Sequence, residues 1–108
     1  MFDSPRYLTW RVHQEIPPEL VLLMWNLIDE LKKRESEEFQ VDYLQVFQLQ
    51  KTFGELNQKL EHWQEVPEFH KKYFFNVEKP VQAKIYVIDS VSDILGESYS
   101  TMLLAEEY

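Results

Sequence analysis

Apolar and polar positions along the chain sort into one helical stretch followed by several strand-like ones. The longest coherent pattern runs from Pro17 to Arg34, where Leu20, Met24, Leu27, Ile28 and Leu31 recur at the spacing of a helix with one buried face. Pro18 suits the first turn, where its missing N–H costs nothing. Glu19 complements the positive end of the helix dipole, and Lys32, Lys33 and Arg34 complement the negative end. Before this helix, Leu8, Trp10 and Val12 alternate with Tyr7, Thr9, Arg11 and His13, which predicts a strand over Arg6–His13 with one face buried. After it, Val41–Leu49 predicts a central strand, because Leu44 and Val46 fall on one face and Tyr43, Phe47 and Leu49 on the other.

The segment Lys51–Glu65 supports two readings. Phe53, Leu56, Leu60 and Trp63 recur at helical spacing, whereas Gly54 is placed to close a hairpin whose return strand begins near Lys59. Further strands are predicted over Lys72–Val77, Val81–Ile88 and Ser100–Ala105, with Asp89–Ser98 as a polar loop. The pattern therefore predicts an α+β fold. It consists of an antiparallel or mixed sheet of about five or six strands with one long N-terminal helix packed on one face.

Within that helix, two apolar residues stand off the stripe. At about 100° per residue, Leu22 and Trp25 fall on the far flank beside Asp29. A helix covering a sheet is expected to be polar there. Leu22 and Trp25 are either roofed within the chain, Asp89–Ser98 being one candidate, or they form with Asp29 an interaction patch in which Trp25 is the anchor.

Composition and charge narrow the class. The chain has 108 residues, the length of one domain with one core, and its 44% hydrophobic and 15% aromatic content is that of a globular protein. The absence of cysteine excludes a disulfide framework, thiolate metal sites and a Cys nucleophile, and it fits a cytoplasmic protein. A net charge of −8 repels nucleic-acid backbones and anionic membranes, and the basic clusters Lys32-Lys33-Arg34 and Lys71-Lys72 are small. The first residues lack the basic and apolar regions of a signal peptide, and the apolar run Leu20–Trp25 is far shorter than a membrane span. No nucleic-acid or membrane partner is therefore expected.

The residues that carry chemistry give no catalytic, cofactor or metal assignment. His13, His62 and His70 share no helical or strand spacing typical of metal ligands and read as exposed strand-face residues. Ser90, Ser92, Ser98, Ser100 and Thr101 lack the glycine-flanked elbow of a nucleophile and read as turn and capping residues. Two glycines are too few for a phosphate cradle. Arg11 and His13, with Arg6, form a small cationic strip that either contacts an anionic ligand or acidic partner, or pairs with the chain's own excess of acids.

Several blocks together resemble a known family. Met1-Phe2-Asp3-Ser4-Pro5-Arg6-Tyr7, Glu15-Ile16-Pro17, Leu27-Ile28-Asp29-Glu30-Leu31, Asp42-Tyr43-Leu44-Gln45-Val46-Phe47, Gln64-Glu65-Val66-Pro67-Glu68 and Thr101-Met102-Leu103-Leu104-Ala105-Glu106-Glu107-Tyr108 are similar to a family of small acidic proteins from Gram-positive bacteria, catalogued as a domain of unknown function. The resemblance implies no activity and no site residues. It does imply a strand–turn–strand over 58–68, the hairpin reading of the ambiguous segment. The expectation that follows is a protein-interaction or regulatory module, binding an unidentified protein or a second copy of itself through the helix flank or an edge strand. The alternative is a small-ligand binder or enzyme, its pocket lying between helix and sheet and lined by aromatics such as Tyr43, Tyr73 and Tyr86, with Arg11 or His13 at its mouth.

Overall fold

A computed structural model describes residues 1–92 and 94–108. Its elements are β1 (Arg6–Leu8), α1 (Trp10–Glu15), α2 (Pro18–Lys32), β2 (Leu44–Lys51), β3 (Gln58–Gln64), β4 (Phe69–Phe75), β5 (Ala83–Val91), β6 (Ser98–Leu104) and a short 3₁₀ turn over Ala105–Glu107. The strands form one sheet in the order β1-β6-β5-β2-β3-β4. It is mixed: β1 runs parallel to β6, with Arg6 opposite Ser100, and the other neighbours are antiparallel.

The helical part departs from the expectation of one long N-terminal helix. The first strand ends at Leu8, and a separate helix, α1, precedes α2. Thr9 causes the change. Its Oγ1 accepts from the Val12 N–H at 3.2 Å, satisfying a donor that the first helical turn leaves free. Val12 and Ile16, four apart, then bury one side of α1, while Trp10 is 69% exposed. The alternation of Leu8, Trp10 and Val12 therefore belongs to no single strand face.

The 15-residue helix α2 is as the stripe predicts, with Leu20, Met24, Ile28 and Leu31 buried. They share a core with Phe47 and Leu49 of β2, Leu60 of β3, Ile85 and Val87 of β5, and Met102 and Leu104 of β6. Facing registers such as Phe47 opposite Ile85, and Ile85 opposite Leu104, put these strand residues on one face of the sheet, which α2 covers. Near the N-terminus, Phe2 is buried in the same core, and its carbonyl accepts from Arg6 and Lys32.

The ambiguous segment is a hairpin. The Thr52 N–H bonds to the Asn57 carbonyl at 3.1 Å, and Gly54 between them takes a φ of +139°, which an L side chain rarely adopts. The return strand β3 has strict period two, with Gln58, Leu60, His62 and Gln64 buried. Three of those four are polar, which is why the alternation is hidden and Leu56, Leu60 and Trp63 mimic a helix. β5 likewise extends beyond Ile88 to Val91, so the loop to β6 is shorter than expected; Asp93, within that loop, lies outside the described residues.

Candidate functional site

The turn Ile16-Pro17 sets α1 against the start of α2, and β1 delivers Leu8 to the same place. Between them lies an apolar cleft of about 240 Å³, lined by Leu8, His13, Ile16, Pro18, Val21, Leu22 and Trp25. Each element contributes for a local reason. Val21 and Trp25 sit one turn apart on α2, and Leu22 follows beside them on the outer flank. His13 lies on the outer side of α1, where the Trp10 indole packs against its imidazole with ring centroids 5.4 Å apart.

The structure thus brings Leu22, Trp25 and His13 together, although nothing in the spacing of the sequence joined His13 to the other two. Trp25 and Leu22 have different surroundings. Trp25 is only 7% exposed, and the Arg6 guanidinium lies 4.9 Å from its ring centroid. The cover over this indole includes the N-terminal strand, a roof the sequence did not suggest. Leu22 is 61% exposed and, with Leu8, leaves two large apolar side chains of the cleft open to solvent.

Asp29 and Arg11 are engaged within the chain. Asp29 accepts from the Arg6 guanidinium and so holds that arginine over Trp25, a positioning contact. Arg11 reaches Glu15 at 2.7 Å and Glu106 at 2.6 Å. Hydrogen bonds to these two carboxylates raise its pKa further above the ordinary arginine value. The cationic strip of the first strand therefore does not form. Arg6 and Arg11 occupy different elements and each is matched by the chain's own acids.

Beyond Ile16 and Pro18 the cleft opens into a wider, polar groove of about 400 Å³ that adds Glu15, Glu19, Glu78 and Lys79. Three of those four charged residues are acidic. The site is thus an apolar recess with an acidic margin.

The aromatic residues expected to line a pocket between helix and sheet do not meet. Tyr73 stands on the α2 side of β4, opposite Leu60, whereas Tyr86 stands on the other side of the sheet, opposite Val46. Tyr43 precedes β2 and is exposed. The histidines are equally dispersed. His62 faces the core, buried against Phe47, while His70 on the opposite face bonds to Glu61 at 2.7 Å. The expectation that His62 is an exposed strand-face residue is corrected. The buried network around it escaped the sequence because glutamines at core positions leave no pattern of their own.

A family model described as Staphylococcal protein of unknown function (DUF960) matches residues 5–107. A crystal structure of a protein of unknown function from Enterococcus faecalis is similar at a TM-score of 0.71 and 20% sequence identity, covering 100% of this chain and 93% of the other. That likeness concerns the fold. No curated protein matches. Among the described residues, no helix is long and apolar enough to cross a membrane.

Proposed function

We propose, for a chain that belongs to the family of staphylococcal proteins of unknown function, that it is a single-domain, non-catalytic protein-interaction module. Its docking site is the cleft between α1 and α2. A partner inserts an apolar side chain between Leu8, Leu22 and Trp25 and lays a basic residue along the Glu15–Glu19 margin. The observation that carries this reading is the joining of Leu22 and Leu8, both large and exposed, around a recess floored by Trp25. The acidic margin and the net charge of −8 favour encounter with a basic segment. A cytoplasmic setting belongs to the same proposal and accords with a chain that contains no cysteine.

The helix flank is preferred over an edge strand as the contact. The edge strand β4 carries His70, Lys71 and Lys72 in succession, and charged side chains of this kind discourage strand addition. The opposite edge, β1, is three residues long.

The test uses a fluorescent peptide in which one leucine is flanked by arginines. Binding to the wild type, followed by anisotropy, is expected to weaken about tenfold or more in Leu22→Glu, equivalent to about 1.4 kcal/mol or more. Leu22 is exposed, so the thermal midpoint should change little, and Leu8→Ala, at another exposed residue of the cleft, provides a second variant with the same expected loss. Equal affinity in both variants would overturn the proposal.

A further inference from the structure

The face of the sheet turned away from α2 carries an ordered pattern of its own. Strand registers place His70, Trp63, Val46, Tyr86 and Leu103 in a single row across β4, β3, β2, β5 and β6. At about 4.8 Å per strand the row spans about 19 Å. Leu44 and Ile88 stand beside it in the next row. Val46 is only 5% exposed although no helix among the described residues lies over it, because Trp63 and Tyr86 flank it in register on the neighbouring strands. An antiparallel sheet that faces water on one side normally shows polar residues there. This face instead presents a continuous apolar band.

Charge is arranged along one margin of the band. Lys72, Glu61, Gln48 and Lys84 form the adjacent row. Glu61 is already matched by Lys59 at 2.9 Å and by His70 at 2.7 Å. Lys84 spans the band, its Nζ lying 5.8 Å from the ring centroids of both Trp63 and Tyr86. With Glu61 matched by Lys59, the remaining charges of this row are Lys72 and Lys84, positive in a chain of net charge −8.

We infer that this bare sheet face is a second docking surface and that it takes an acidic, amphipathic segment of a partner protein. Apolar side chains of the segment lie along the Trp63–Leu103 row, and its carboxylates meet Lys72 and Lys84. Local charge selects this occupant. A lysine margin beside an apolar row is complementary to a segment that carries carboxylates beside apolar side chains. At its end the band already receives one aromatic side chain of the chain, the Tyr108 ring lying edge-on to Tyr86 at 5.7 Å.

The surface is independent of the cleft between the helices, and the experiment separates them. The probe is a labelled amphipathic peptide with leucine on one side and glutamate on the other. Its controls are the same peptide with lysine for glutamate and a single-stranded oligouridylate. Backbone amide shifts are expected at Trp63, Lys84 and Tyr86, with binding weakened about tenfold or more by Lys72→Glu/Lys84→Glu and unchanged by Leu22→Glu. Both lysines are exposed, so an unaltered thermal midpoint establishes that the double variant is folded. Equal binding of the lysine peptide, binding of oligouridylate in place of the acidic peptide, or the same shifts on raising the concentration of protein alone would each overturn the inference.

Discussion

His62 sits where the alternation of β3 calls for an apolar side chain, and its neighbours show how the ring is accommodated. The imidazole stacks on Phe47 at 4.3 Å, and its Nε2 is 2.7 Å from the Gln45 Oε1. The Gln45 amide donates to the Gln64 Oε1 at 2.8 Å, and the Gln64 amide donates to the carbonyls of Gln40 and Pro67. A chain of buried side-chain hydrogen bonds thus ties β2 and β3 to the irregular segments at their ends. Burial pushes the His62 pKa down to about 3, so the ring is neutral in the folded protein. The sign of the linkage follows. Between an ordinary histidine value near 6.5 and about 3, the unfolded chain binds a proton that the folded chain does not, so stability falls as pH falls through that window. The slope contributed by this residue is at most about 1.4 kcal/mol per pH unit. Urea unfolding at pH 7 and pH 5 is expected to show this dependence reduced in His62→Phe. A wild-type histidine signal titrating near 6.5 at position 62 would contradict it. The same residue marks the limit of what the sequence reveals. Leu22 and Trp25 stand out because they violate a helical stripe that their neighbours define. Gln58, His62 and Gln64 erase the alternation of β3, and only their partners in space explain them.

At the scale of elements, α2 is legible because its stripe, its proline and its terminal charges all agree, whereas α1 is concealed. Six residues give too few repeats for periodicity, and the alternation running through Leu8, Trp10 and Val12 imitates a strand. The signals that would have revealed α1 are Thr9 as a cap, the Val12–Ile16 pair and the Arg11–Glu15 pair at helical spacing. The consequence reaches the candidate site, because the helix here carries His13 to the flank of α2. Thr9 does two things: it caps α1, and its hydroxyl donates to Glu107 at 2.8 Å. Thr9→Ala is expected to cost about 1 kcal/mol in denaturant unfolding, while Thr9→Ser retains most of that stability. Loss of stability in the serine variant equal to that in alanine would show that capping is not the cause.

The whole molecule is a two-layer α+β fold in which one sheet face is closed by α2 and the other is open. The sequence shows the helix, the sheet and the approximate number of strands, since each follows from local periodicity. It hides the parallel pairing of β1 with β6 and the rows across the open face, because registers between distant strands leave no local mark. The two candidate surfaces carry opposite margins: acidic residues beside the helix cleft, lysines beside the sheet band. A backbone amide shift map tests the central claim most directly, recorded while the arginine-flanked leucine peptide is titrated into the wild-type protein. Shifts are expected at Leu8, His13, Leu22 and Trp25, with their disappearance in Leu22→Glu. Shifts confined to the sheet face or the loops, or a map unaltered by that substitution, would contradict it.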